Sequence, residues 1–186
     1  MNLISKEEVM IKKARQFAID AHKSQMYGTK PYVYHLDKVV SHLKEYDEYI
    51  SAMGYLHDVV EDTEVSVEEI ESEFGSLIAK GVALLSDEPG KTRYERKKKT
   101  YAKMALVSEN CEEHGALIVK TADRLANLQE CVATDNHRKL KMYLNEHPDF
   151  SQSVYRFGLC EELWESLNTL IEQAEKKYDT EDLVPV

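Results

Sequence analysis

The stretch from Ala116 to Leu128, ALIVKTADRLANL, constrains this chain more than any other segment. It is the most apolar run in the sequence, and a helix of that composition belongs where other helices surround it, at the centre of a bundle. Its polar residues are then the informative ones. Asp123 and Asn127 stand four apart and share a face, and Lys120 and Arg124 stand four apart beside them. Polar groups inside a core-like helix need partners, so this stripe is expected to border a cleft. Only 4 prolines and 7 glycines occur among 186 residues, and 31% of residues are charged, which favours helices over turns. The expected fold class is all-α, with one domain over residues 1–178 and a loose tail over 179–186.

Helical signals recur elsewhere. Ser5-Lys6-Glu7-Glu8 has the form of a capping box and precedes apolar residues at helical spacing to about Ser24. After a loop from Tyr27 to Pro31, a second helix opens at Pro31-Tyr32 and carries His35, Leu36, Val39, Val40 and Leu43. A third helix is expected over 48–60, a short one from the capping box Ser66-Val67-Glu68-Glu69 to Gly75, and a buried segment over 76–85. The charge then reverses: between Lys91 and Lys103, seven lysines and arginines face Glu95 alone. Further helices are expected near 137–145, with a break at Pro148, and over 160–177, where Leu163, Trp164, Leu167, Leu170 and Ile171 form a packing face.

Charge and cysteine usage narrow the function classes. A formal net charge of -10 argues against sequence-independent nucleic-acid binding, which needs a surplus of Lys and Arg. Cys111, Cys131 and Cys160 lack CxxC spacing and suit reduced thiols. Met1 to Gln16 alternates charged and apolar residues unlike a signal peptide, and no apolar run reaches bilayer length. A cytoplasmic chain with no membrane partner is expected, with homo-oligomer formation left open.

The densest chemistry lies in Leu56-His57-Asp58-Val59-Val60-Glu61-Asp62. Helical spacing puts Glu61 over His57 and Asp62 over Asp58, so an imidazole and three carboxylates share one direction. Carboxylates this close repel, and a divalent cation is the simplest compensation. The bland alternative is a solvated acidic helix end.

With His35 upstream and Asp123 downstream, the chain resembles the HD-domain metal-dependent phosphohydrolases. Ala21-His22-Lys23-Ser24-Gln25, Pro31-Tyr32-Val33-Tyr34-His35, HDVVEDT at 57–63, Phe74-Gly75 and Lys120 to Leu128 narrow the resemblance to the RelA/SpoT hydrolase domain in its small stand-alone form. The similarity spans about Ile11 to Leu128. It implies an HD-domain bundle of about 8–10 helices that removes the 3′-pyrophosphate from (p)ppGpp or a related small-molecule nucleotide by metal-activated water. It further implies one metal, typically manganese, on His35, His57, Asp58 and Asp123, with Glu61 and Asp62 as the catalytic acidic pair. Asn127 and Arg124 would reach the nucleotide, and Arg93 and Lys97 are the cations of the basic stretch that match the family segment. Ligand type alone suits manganese, iron or zinc. Met26-Tyr27 depart from the pattern, because the family carries Arg-Lys near the base; Tyr27 either stacks on a base or packs on the protein. His22 and His42 read as helix-surface or satisfied polar residues, and Arg138 and Tyr143 fall in a region of further nucleotide contacts. Two other readings stand beside the first: a phosphatase releasing orthophosphate from NADPH or another nucleotide, and a nucleotide-sensing module without turnover.

Overall fold

A computed structural model describes residues 6–108 and 111–177 of the chain. Among them are ten helices: α1 (Lys6–His22), α2 (Val33–Ser41), α3 (Glu48–Leu56), α4 (Val59–Asp62), α5 (Val67–Phe74), α6 (Ser76–Leu85), α7 (Arg93–Ala105), α8 (His114–Ala133), α9 (His137–Val154) and α10 (Glu161–Lys177). One small antiparallel hairpin, β1 (Met26–Tyr27) with β2 (Lys30–Pro31), joins α1 to α2. The fold is all-α. Ser5 of the first capping box and the expected tail over 179–186 lie outside the described residues.

The apolar segment from Ala116 to Leu128 lies within α8, which runs through the middle of the bundle against α2, α3, α6, α9 and α10. Leu117, Val119, Ala122 and Leu128 on it are fully buried. Around this axle α1 lies along α3, and the small residues Ala14 and Ala18 form its buried contact. Arg15 on α1 grips Asp37 on α2 with Nε and Nη2 at 2.7 and 2.8 Å, and Tyr55 on α3 donates to the same carboxylate at 3.1 Å. Three helices are thereby fixed beside the site. At Gly54 a Cβ would stand 2.7 Å from Leu43 Cδ1 and 3.1 Å from Val40 Cγ2, so only glycine lets α3 sit this close to the α2 end.

Local departures from the expected elements follow from tertiary contacts. The helix expected over 48–60 is interrupted, ending at Leu56 and resuming at Val59. At the break the Gly54 carbonyl accepts from His57 Nδ1 at 2.7 Å, a side chain competing with the backbone for a helix acceptor. His57 turns into the core, 1% exposed, while Glu61 and Asp62 stay on the surface. Pro148 does not break α9, although a proline forfeits one helix bond; burial of Leu140, Leu144, Phe150 and Val154 along one face carries the helix through. Pro31 belongs to the hairpin and α2 starts at Val33. Ser66 caps α5 as expected, with Oγ accepting from the Glu69 N–H at 3.2 Å. Among the described residues no helix is long and apolar enough to cross a membrane.

Candidate metal centre

Three distant parts of the chain converge here: His35 from α2, His57 and Asp58 from the α3–α4 junction, and Asp123 from α8. His57 Nε2 lies 3.0 Å from Asp58 Oδ2 and 3.7 Å from Asp123 Oδ1; His35 Nε2 lies 3.6 and 3.3 Å from the same two atoms. His35, His57 and Asp58 each offer a ligand atom within 4.8 Å of the others. Because the Gly54 carbonyl can only accept, the neutral His57 ring keeps its proton on Nδ1 and presents the Nε2 lone pair to the cluster. That Nε2 is buried and has no hydrogen-bond partner among the described residues. An orphaned buried lone pair between two carboxylates fits a cation, and two imidazoles with two carboxylates fit a divalent transition ion.

Electrostatics agree with that fit. Burial disfavours the imidazolium of His57, yet Asp58 and Asp123 outweigh it and hold the group well above the usual histidine range. Burial also works against both carboxylates. Nevertheless His57 and His35 hold Asp58 below the usual carboxylate range, and His35, His57 and Lys120 do the same for Asp123. The cluster attracts positive charge, so a proton and a metal ion compete for it.

Other side chains fix the cluster's geometry. Tyr32 donates its hydroxyl to Asp58 Oδ2 at 2.6 Å. Asn127 Nδ2 donates to Asp123 Oδ1, and Tyr27 donates to Asn127 Oδ1 at 2.8 Å. The Tyr27 ring stacks on His35, with centroids 4.7 Å apart and planes 14° apart. Tyr27 thus packs over the His35 imidazole and also lines the cavity above the cluster.

A cavity of about 280 Å³ opens above the cluster, lined by His35, Asp58, Glu61, Asp62, Asp123, Asn127, Tyr27, Arg93, Lys97 and Arg124 among others. His57 lies buried under it. Glu61 Oε2 accepts from the Asp87 backbone N–H at 3.0 Å, and desolvation together with the Asp87 charge raises its carboxyl above the usual range against Lys97 and Lys120. Asp62 Oδ2 accepts from Gln25 Nε2 at 2.9 Å. The basic stretch is spent more locally than its sequence implies. Lys97 pairs with Asp87 at 2.8 Å, Lys103 with Glu88 at 2.7 Å, and Arg93 grips Glu146 at 2.7 and 3.1 Å. Of that stretch, Arg93 and Lys97 reach the cavity wall. Arg124 is buried, donating to Tyr101 Oη at 2.6 Å and to Glu146 at 3.3 Å, with its guanidinium over the rings of Tyr143 and Phe150.

Sequence reasoning missed Tyr32 and Lys139 as cavity residues and counted Lys120 only as part of the α8 stripe. Lys120 is buried with its ammonium 3.9 Å from Asp123 Oδ2, and the surrounding carboxylates keep it charged despite burial. The stripe on α8 contained the signal for Lys120; nothing local marks Tyr32 or Lys139. Tyr143 lines the cavity, whereas Arg138 is exposed outside it. His42 is satisfied by Gln129 at 3.0 Å, as expected, but His22 is buried and, among the described residues, only its Nδ1 has a partner.

Comparisons with known proteins give the family of the chain. The chain is 31% identical over 134 residues to guanosine-3′,5′-bis(diphosphate) 3′-pyrophosphohydrolase MESH1 of Xenopus tropicalis, covering 68% of this chain and 72% of that one. It is 31% identical over 162 residues to a probable guanosine-3′,5′-bis(diphosphate) 3′-pyrophosphohydrolase of Synechocystis sp., covering 84% of this chain but about a fifth (21%) of that protein's length. Among solved structures, a metazoan ortholog of SpoT that hydrolyzes ppGpp superposes with a TM-score of 0.77 at 24% identity, over 94% of this chain and 98% of that one, a likeness of fold. The HD-domain profile matches residues 14–146 and takes in every residue of the cluster, so the chain belongs to the HD-domain family.

Proposed function

We propose that this protein is a metal-dependent nucleotide pyrophosphohydrolase that removes the 3′-pyrophosphate from (p)ppGpp or a close relative. One observation carries the reading: the orphaned Nε2 of His57 lies among His35, Asp58 and Asp123 at the floor of a cavity walled by both acidic and basic side chains. The named activity of the Xenopus and Synechocystis relatives supports the choice of reaction.

His35, His57, Asp58 and Asp123 would hold one divalent ion, manganese in this reading, which supplies Lewis acidity and activates water when bound. The protein's own groups then divide the remaining work. Glu61, with its carboxyl raised above the usual range, suits delivery of a proton to the departing ribose 3′ oxygen. Asp62, held by the Gln25 amide, suits orientation of the attacking water. Lys97, Lys120 and Arg93 lie on the wall where phosphoryl charge needs neutralising. Arg124, joined to Arg93 through Glu146 and lying over the Tyr143 ring, supports the same wall. Asn127 keeps Asp123 aligned and, through Tyr27, borders the nucleotide end.

A second reading, phosphatase action on NADPH or another nucleotide, draws on Met26-Tyr27, which stand in the sequence where the resembled family carries Arg-Lys near the base; Tyr27 packs on His35. Product identity separates the two. A nucleotide panel with manganese is expected to give pyrophosphate from ppGpp; orthophosphate from NADPH in its place would favour the second, and neither product would reject both.

A further inference from the structure

His22 lies at the end of α1, outside the cavity wall, and is 5% exposed. Its Nδ1 is 2.8 Å from Gln25 Oε1, an atom that can only accept, so His22 is the donor. The amide of Gln25 then has one orientation left. With Oε1 pinned by the imidazole, its Nε2 faces Asp62 Oδ2 at 2.9 Å; the flipped amide would set an oxygen against a carboxylate and a nitrogen against an N–H. The same imidazole stacks on Tyr32, with centroids 4.3 Å apart and planes 22° apart, and Tyr32 is the residue that donates to Asp58. The Gln25 carbonyl in turn accepts from the Tyr32 backbone N–H at 3.1 Å. One buried ring thus braces two arms, one ending on Asp62 and the other on Asp58.

We propose that His22 is a positioning residue of this site, setting the Asp62 carboxylate through Gln25 and the Asp58 carboxylate through Tyr32. The proposal rests on the reading that those two carboxylates serve hydrolysis. A buried histidine kept only for packing would do as well with an apolar ring of similar size. A histidine kept for its N–H polarises the amide next to it and could not be so replaced.

The test compares the parent with His22→Phe, which keeps a flat ring over Tyr32 without the N–H, with His22→Asn, which restores an N–H close to the Nδ1 position, and with Gln25→Leu at a half-buried position where folding is not at stake. Kinetics use whichever nucleotide of the panel the parent turns over fastest. His22→Phe and Gln25→Leu are each expected to lower kcat by about 10–100-fold with KM changed by about twofold or less. The double variant is expected to lose no more than the worse single, because both changes cut one chain of contacts. His22→Asn is expected to recover most of the loss. Imidazole nitrogen NMR on the full chain in magnesium supplies a reading independent of turnover: the parent should show His22 as the Nδ1–H tautomer, and Gln25→Leu should disturb it.

A parent that turns over no nucleotide overturns the functional reading and the proposal together, leaving the tautomer to report the His22–Gln25 link alone. With an active parent, the proposal alone falls if His22 is the Nε2–H tautomer, if Gln25→Leu keeps full kcat, or if the two losses multiply.

Discussion

His57 uses its two ring nitrogens for opposite purposes: Nδ1 is tied to the backbone of its own helix, and Nε2 is left for the cluster. Tying one nitrogen fixes both the tautomer and the ring plane, the usual way that a ligand histidine is aimed. Tyr32 does the same for Asp58, so Tyr32→Phe is expected to weaken manganese binding by about 10–100-fold with little change in the fold, as titration calorimetry would report. Glu61 allows a test by pH. Its proton is held more tightly in the folded chain than in the unfolded one, because desolvation and Asp87 disfavour its charge. The resulting destabilisation is absent below the unfolded value and grows as pH rises through the folded value. In chelated protein, Glu61→Gln should therefore raise the urea midpoint at about pH 8 and leave it unchanged at about pH 4. With manganese restored, the same variant should keep its metal and lose about 10²–10⁴ in kcat. A Glu61→Gln enzyme with full turnover would remove that residue from the chemistry. That His35, His57, Asp58 and Asp123 come together was expected from the resemblance to the HD-domain pattern. Tyr32 was not, because its hydroxyl meets a carboxylate 26 positions away, a contact made only by folding.

Among the elements, the junction between α3 and α4 decides where the chemistry sits. A helix continuing unbroken from 48 through Asp62 would put His57, Asp58, Glu61 and Asp62 on one face. The break at His57-Asp58 sorts them by depth, His57 to the core and the acidic pair to the cavity rim. Helical periodicity recovers helices such as α1, α8 and α10 because their apolar faces are regular. It misses this break and the passage of α9 through Pro148, where a ring nitrogen and a buried face override local preference. The close approach at Gly54 gives an element-scale prediction. Gly54→Ala gains about 1 kcal/mol of helix propensity and meets Leu43 and Val40, whose overpacking costs about 1–3 kcal/mol. Because Leu43 is fully buried and has little room to yield, the overpacking term should win. A lowered thermal midpoint, with weaker metal binding as α2 and α3 shift apart, is the expected result; a more stable variant would mean that the packing there is loose.

The whole molecule carries a net charge of -10, yet its cleft is walled by Arg93, Lys97, Lys120, Arg124 and Lys139 as well as by carboxylates. In the sequence, the stretch from Lys91 to Lys103 sets seven lysines and arginines against Glu95 alone. The structure pairs Arg93, Lys97 and Lys103 with Glu146, Asp87 and Glu88 and sets Arg96 3.9 Å from Asp87, which lowers the surplus felt at a distance. Accordingly kcat/KM for a polyphosphorylated nucleotide should change by about twofold or less between low salt and physiological salt, whereas a steered substrate would lose about tenfold or more. In the proposed reading, α2, the α3–α4 junction and α8 together hold one divalent ion. The direct test is titration of the chelated full chain with manganese, beside Asp58→Ala and Asp123→Ala. The expected result is one ion bound per chain, with binding lost in both variants; a parent that binds none, or variants that bind as tightly as the parent, would contradict it.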